Sequence, residues 1–121
     1  MWTNVVVLPS RWYETQGLVV LEAAARGVPA IVPDQCAASD FVDDGITGLV
    51  FRTGDLVDLE HKLRQLTDPA LAARLGGAAY EKYWQAPATM ASHTERLVAV
   101  YESMLARPTR KTAVPETISL A

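Results

Sequence analysis

Three consecutive stretches decide the fold: Val5-Val6-Val7-Leu8-Pro9-Ser10, Gly17-Leu18-Val19-Val20-Leu21-Glu22-Ala23-Ala24-Ala25-Arg26-Gly27, and Val28-Pro29-Ala30-Ile31-Val32-Pro33. Val5 to Leu8 is a short, continuous apolar run, mostly β-branched, stopped by Pro9-Ser10. Such a run suits a strand buried on both faces, as in a parallel sheet. Gly17 opens a Leu- and Ala-rich helical segment, Leu18 to Arg26, and Gly27 stands where a helix stop is expected. Val28 to Val32 is a second strand run, broken by Pro33-Asp34.

Working outward, Gly48 to Phe51 is a third apolar run, reached through the turn Asp43-Asp44-Gly45. Ala37 to Val42 has room for one or two helical turns. From Asp55 the period changes: Leu56, Leu59, Leu63 and Leu66 recur at helical spacing behind an Asp N-cap. Asp68-Pro69 starts another helix, with Leu71, Leu75, Ala79 and Tyr83 on one face and Gly76-Gly77 weakening its middle. Met90, Leu97, Tyr101 and Met104 mark a final helix closing near Ala106.

Short buried strands alternating with helices imply parallel pairing through crossovers. The fold class is therefore α/β: a truncated Rossmann-like domain with about three parallel strands, flanking helices and a helical C-terminal end. It is expected to occupy residues 1–106, with a disordered tail over 107–121. A complete doubly wound domain has about six strands. The chain is accordingly expected to be one half of a larger domain.

A chain of 121 residues with half its residues apolar suffices for one small core. A net charge of -3 argues against nucleic acid as a partner. Cys36 is the single cysteine, which excludes an internal disulfide, and with no Cys/His cluster a structural zinc is not expected. His61 and His93 fall far apart inside helical patterns and read as solvated or packed positions. No apolar run approaches the roughly 20 residues needed to span a bilayer, and no signal peptide is visible. The default location is the cytoplasm.

Two carboxylates stand out, Glu14 and Glu22. Glu14 lies in the loop after the first strand, where open parallel sheets bind ligands. The helix beginning at Gly17 offers free N–H groups and a positive dipole end, both suited to phosphate, and glycine permits close approach. Glu22 falls at the edge of the apolar arc made by Leu18, Leu21, Ala24 and Ala25, where a carboxylate needs a hydrogen-bonding partner. The plainer alternative is an i,i+4 ion pair of Glu22 with Arg26, and an ordinary loop acid at Glu14. Spacing alone leaves both open.

The longer string Pro9-Ser10-Arg11-Trp12-Tyr13-Glu14-Thr15-Gln16-Gly17-Leu18, followed by Glu22-Ala23 and Gly27-Val28-Pro29, resembles the signature of the group 1 glycosyltransferases. These are retaining enzymes with two Rossmann-like domains facing a cleft, the GT-B arrangement. Asp34, Asp40-Phe41-Val42, Gly45 and Gly48-Leu49 continue the likeness, which covers roughly residues 5 to 106. Gln16 departs from the family's usual Phe, and Cys36 from a common Gly. A packed thiol is the expected state of Cys36.

The resemblance implies roles. Glu14 would be the catalytic residue, orienting the transferred sugar and stabilising positive charge developing at its C1. Glu22 would hold the ribose of the nucleotide, and Gly17 and Leu18 would give backbone N–H groups to the donor phosphates. The donor is a nucleotide-sugar substrate; no cofactor is expected, and with no D-x-D in the chain, no metal either. The parent enzyme would move a sugar from that donor to an acceptor hydroxyl with retention of configuration. The family's phosphate-neutralising Arg and Lys and its acceptor domain are expected upstream, or on a partner chain. Alone, the chain is expected to be inactive. The alternatives are a noncatalytic donor-binding or assembly subunit of a split transferase, and an inactive folded remnant. A bare first strand further predicts a homo-oligomer through the sheet edge.

Overall fold

The computed structural model describes residues 4–12 and 15–106. The chain divides into two units, Met1–Ala88 and Thr89–Ala121. In the first, β1 (Val6–Val7), α1 (Leu18–Ala24), β2 (Ala30–Pro33), a 3-10 helix η1 (Ala37–Phe41), β3 (Gly48–Phe51), α2 (Leu56–Gln65) and α3 (Pro69–Gln85) follow in order. The strands form one parallel sheet in the order β1-β2-β3, with Val6 opposite Ala30 and Ile31 opposite Leu49. This is the expected Rossmann-like half sheet.

The continuous apolar runs are explained by which side each residue faces. In β2, Ala30 and Val32 join Val20, Cys36, Ala38 and Val42 beneath α1 and η1. Their neighbour Ile31 joins Leu49, Phe51, Leu66, Ala72 and Leu75 beneath α2 and α3. Alternation along the strand sends successive side chains into opposite cores, so a strand covered on both faces has no polar positions. β1 is shorter than its run. Val6 N–H donates to Pro29 O at 3.0 Å and Leu8 N–H to Ile31 O at 2.9 Å, all toward β2.

Helix ends follow their residues. Asp55 accepts from the N–H groups of Val57 and Asp58, and Asp68 from Ala70 N–H ahead of Pro69. α1 closes with Gly27 at φ 71°; its N–H donates to Ala24 O, and Val28 N–H to Ala23 O, each at 3.0 Å. Together these satisfy carbonyls the helix would otherwise leave open. Gly76, which in sequence only weakens α3, is buried against Gly27: a Cβ there would collide with the Gly27 carbonyl oxygen. Gly77 beside it faces open space.

In the second unit α4 spans Met90–Ala106. Thr89 and Ser92 open it reciprocally, Ser92 N–H donating to Thr89 Oγ1 and Thr89 N–H to Ser92 Oγ. The tail expected over 107–121 lies outside the described residues.

Candidate functional site

β1 ends at the C-terminal edge of the sheet and runs into Pro9, Ser10 and Arg11. The Ser10 hydroxyl donates to Trp12 O at 3.1 Å and accepts from Trp12 N–H, which folds the loop's start into a local turn. Arg11 is exposed and borders a groove of about 300 Å³ shared with Phe51, Asp55 and Leu59. Glu14, the expected catalytic residue, lies outside the described residues, so its position relative to the other site residues is not assigned.

Gly17 is buried and left-handed, φ 56°, a conformation that a side chain strongly disfavours. It also has no space for one, since a Cβ would lie 2.5 Å from the Ala38 Cβ and 2.9 Å from its Cα. Gly17 thus seats the start of α1 directly on η1. On the side where a Cβ would stand, the missing side chain thus makes room for Ala38 and not for a ligand. No side chain caps the helix, and Val20 N–H closes the first turn onto Gly17 O at 2.9 Å. The N–H groups at the start of α1 therefore remain uncapped by side chains.

The buried side of α1 is carried by Val20 and Ala23, one turn apart. Leu18 and Val19 are exposed at 57% and 41%. The arc anticipated from Leu18, Leu21, Ala24 and Ala25 is thus rotated: α1 is short, and Gly17's contact with Ala38 fixes which side meets the sheet. Glu22 is exposed, four residues from exposed Leu18, and bears no burial cost in the ligand-free chain. Arg26 does not pair with its carboxylate. The guanidinium Nη1 donates instead to the Glu22 backbone carbonyl at 3.2 Å. Among the described residues the Glu22 carboxylate has no ion-pair partner.

A second group at the same sheet edge escaped sequence reading. Thr53, after β3, gives both its N–H (2.9 Å) and its hydroxyl (2.7 Å) to Asp34 Oδ1, after β2. The Thr53 hydroxyl oxygen accepts from Gln35 N–H at 3.1 Å. The Thr53 hydroxyl, then its backbone N–H, hold the Asp34 carboxyl below the usual carboxylate range. Thr53 carries no sequence signal beyond its place after a strand, and Asp34 only its place and its part in the family likeness.

Cys36 is buried, its thiol donating to Pro33 O at 3.3 Å, as expected of a packed thiol. His61 and His93 are exposed positions on α2 and α4. Among the described residues no three of His, Cys, Asp and Glu gather closely enough to hold a metal ion, and no helix is long and apolar enough to cross a membrane.

The family model for glycosyl transferases group 1 matches residues 3–82. The chain belongs to that family. An alpha-D-kanosaminyltransferase of Streptomyces kanamyceticus is 39% identical over 75 residues, 60% of this chain and 19% of that protein. A sulfoquinovosyl transferase of Arabidopsis thaliana is 36% identical over 106 residues, 81% of this chain and 21% of its own length. Among solved structures, sucrose-phosphate synthase from Thermosynechococcus elongatus superposes with a TM-score of 0.75 at 33% identity, covering 85% of this chain and 26% of that one. The chain therefore spans about a fifth of the length of the curated relatives it matches.

Proposed function

We propose that this chain forms half of the donor site of a retaining glycosyltransferase, which moves a sugar from a nucleotide-sugar to an acceptor hydroxyl. The observation that carries the reading is the exposed Glu22 carboxylate, without an ion-pair partner among the described residues, on the same side of α1 as Leu18 and behind a helix start that no described side chain caps. Glu22 stands five residues from Gly17, roughly 7–8 Å along the axis at 1.5 Å per residue. That separation suits a diphosphate at the helix start and a ribose hydroxyl at the acid.

In this reading Gly17 and Leu18 donate N–H hydrogen bonds to the phosphates, where the helix dipole favours negative charge. Glu22 accepts from ribose hydroxyls. Glu14 orients the transferred sugar and stabilises positive charge at C1 as the bond to the nucleotide diphosphate breaks and the acceptor oxygen, giving its proton to the departing diphosphate, bonds to that carbon on the same face. The enzyme's contribution is orientation and electrostatic stabilisation. No metal takes part in the reading. Arg and Lys side chains that neutralise the leaving phosphates, and the acceptor site, come from elsewhere in the parent enzyme or from a partner chain, so this chain alone is inactive.

A noncatalytic donor-binding or assembly subunit is the second reading, and the sheet favours it. Among the described residues β1 pairs with β2 alone, and its other edge carries no strand there. Association through that edge, with a second copy or with a partner chain, follows from either reading. This reading places the enzyme in the cytoplasm.

The test is an amide NMR titration with uridine, guanosine and adenosine diphosphate. Shifts confined to the Gly17–Glu22 segment and its contacts on η1 support the site; shifts absent there, or centred elsewhere, contradict it.

A further inference from the structure

We propose that Asp34 and Thr53 form a positioning clamp for the Gly17 backbone, acting through η1. The inference rests on the donor-site reading above for its meaning in binding, but its structural part stands by itself. Gly17 meets η1 at Ala38, a fully buried residue whose Cβ and Cα occupy the space a Gly17 side chain would need. The left-handed turn that starts α1 is therefore set by where η1 lies.

η1 is in turn hung from the ends of β2 and β3. Cys36 Sγ–H donates to Pro33 O, and the Ser39 hydroxyl contacts Cys36 O at 2.7 Å and Asp34 O at 3.4 Å. Ahead of it, Gln35 N–H donates to Thr53 Oγ1, whose hydrogen goes to Asp34 Oδ1. One hydroxyl thus accepts from the backbone of the η1 approach while donating to the carboxylate beside it. The path runs from β3 through Thr53, Asp34–Gln35 and Ala38 to Gly17. Such a cross-strand bond between two loop ends is not needed to fold either strand, since β2 and β3 are already paired over four residues. Hydrogen bonds to an ionised carboxylate are the stronger kind and hold geometry well.

The clamp is tested in the full chain with Thr53→Val, which keeps shape and the backbone N–H but removes the hydroxyl, and with Asp34→Asn, which keeps an acceptor and removes the charge. Thr53→Ser serves as the rescue and Glu60→Gln, on a distant exposed pair of α2, as the control. Without ligand, the Ala38, Gly17 and Leu18 amide resonances should move in Thr53→Val and less in Asp34→Asn, return in Thr53→Ser, and stay put in Glu60→Gln. Affinity for whichever nucleoside diphosphate binds should fall roughly three- to tenfold in Thr53→Val, the fold-change carried by part of one charge-assisted bond. Movement of Gln35 alone, with Gly17 and Leu18 unchanged in both variants, overturns the clamp. Absence of any diphosphate binding by the unaltered chain defeats the donor-site reading instead, and the ligand-free resonances still decide the clamp.

Discussion

Gly76, in the middle of α3, lies against Gly27 at the end of α1, with the Gly27 carbonyl carbon 2.9 Å from where a Gly76 Cβ would stand. Two backbones meet there without a side chain between them, which brings α3 down onto the turn that ends α1. Gly76→Ala must push backbone apart and is expected to cost at least the 1–3 kcal/mol typical of overpacking. Gly77→Ala meets nothing within 4 Å and should instead stabilise α3 by roughly 0.5–1 kcal/mol through helix propensity. Urea unfolding of both variants checks the pair, and equal effects would show that the contact is not tight.

Asp34 gives a pH prediction with a definite sign. Its folded pKa lies below the ordinary carboxylate value because Thr53 hydrogen-bonds the charged form. The stability it contributes is complete above the unfolded-state pKa and is lost as pH falls through the folded value. Carboxyl carbon NMR should therefore show Asp34 titrating below the ordinary aspartate value, and moving back up in Thr53→Val. An unchanged titration in that variant would remove the hydrogen bond from the account.

The Lys82–Asp43 ion pair joins α3 to the turn before β3 at 2.7 Å, yet both side chains are about half exposed. Water and salt weaken such a pair, so its coupling in a double-mutant cycle should be only about 0.2–1 kcal/mol and should shrink at high salt. A coupling of several kcal/mol would mean the turn depends on this contact far more than its exposure allows.

Among the described residues β1 has one edge without a partner strand, and association through it is measurable. Light scattering over a wide concentration range should show a dimer or larger species. Val6 and Leu8 spend their N–H groups on the β2 side, so Val7→Pro, which removes the N–H facing the other edge, should lower association. A clean monomer of the unaltered chain at all concentrations contradicts pairing through this edge.

Much of the fold was legible because it rests on local rules. The run Gly48–Phe51, the caps Asp55 and Asp68, and Gly27 as the stop of α1 appear where the residues put them, while the run Val28–Val32 forms β2 as Ala30–Pro33, with Pro33 paired to Phe51 instead of ending the strand. What was not legible depends on partners distant in sequence. Leu18 was counted into the core, but the seating of Gly17 on Ala38 turns it outward. Leu56 sits in the α2 repeat with Leu59 and Leu66, yet it overhangs the first turn and is 79% exposed. Gly76 reads as a weak point until Gly27 is placed beneath it.

The site was legible in part for the same reason. Glu22 and Gly17 lie on one short helix, so their spacing is fixed by the chain itself. Whether Arg26 takes the Glu22 carboxylate or its carbonyl is a matter of side-chain direction, which spacing does not decide. Thr53 and Asp34 meet only after β2 and β3 pair, and no local pattern announces them.

Glu22 carries the central claim, and calorimetric titration of the chain with uridine, guanosine and adenosine diphosphate, beside Glu22→Ala, tests it most directly. Glu22 is exposed and unpaired among the described residues, so the variant should keep its stability to within about 0.5 kcal/mol. The predicted result is heat of binding from one diphosphate, lost or at least tenfold weakened in the variant, as expected when a charge-assisted hydrogen bond worth about 1.5–3 kcal/mol is removed. No heat from any of the three, or binding that Glu22→Ala leaves unchanged, would contradict the donor half-site and leave the chain a folded member of its family without that function.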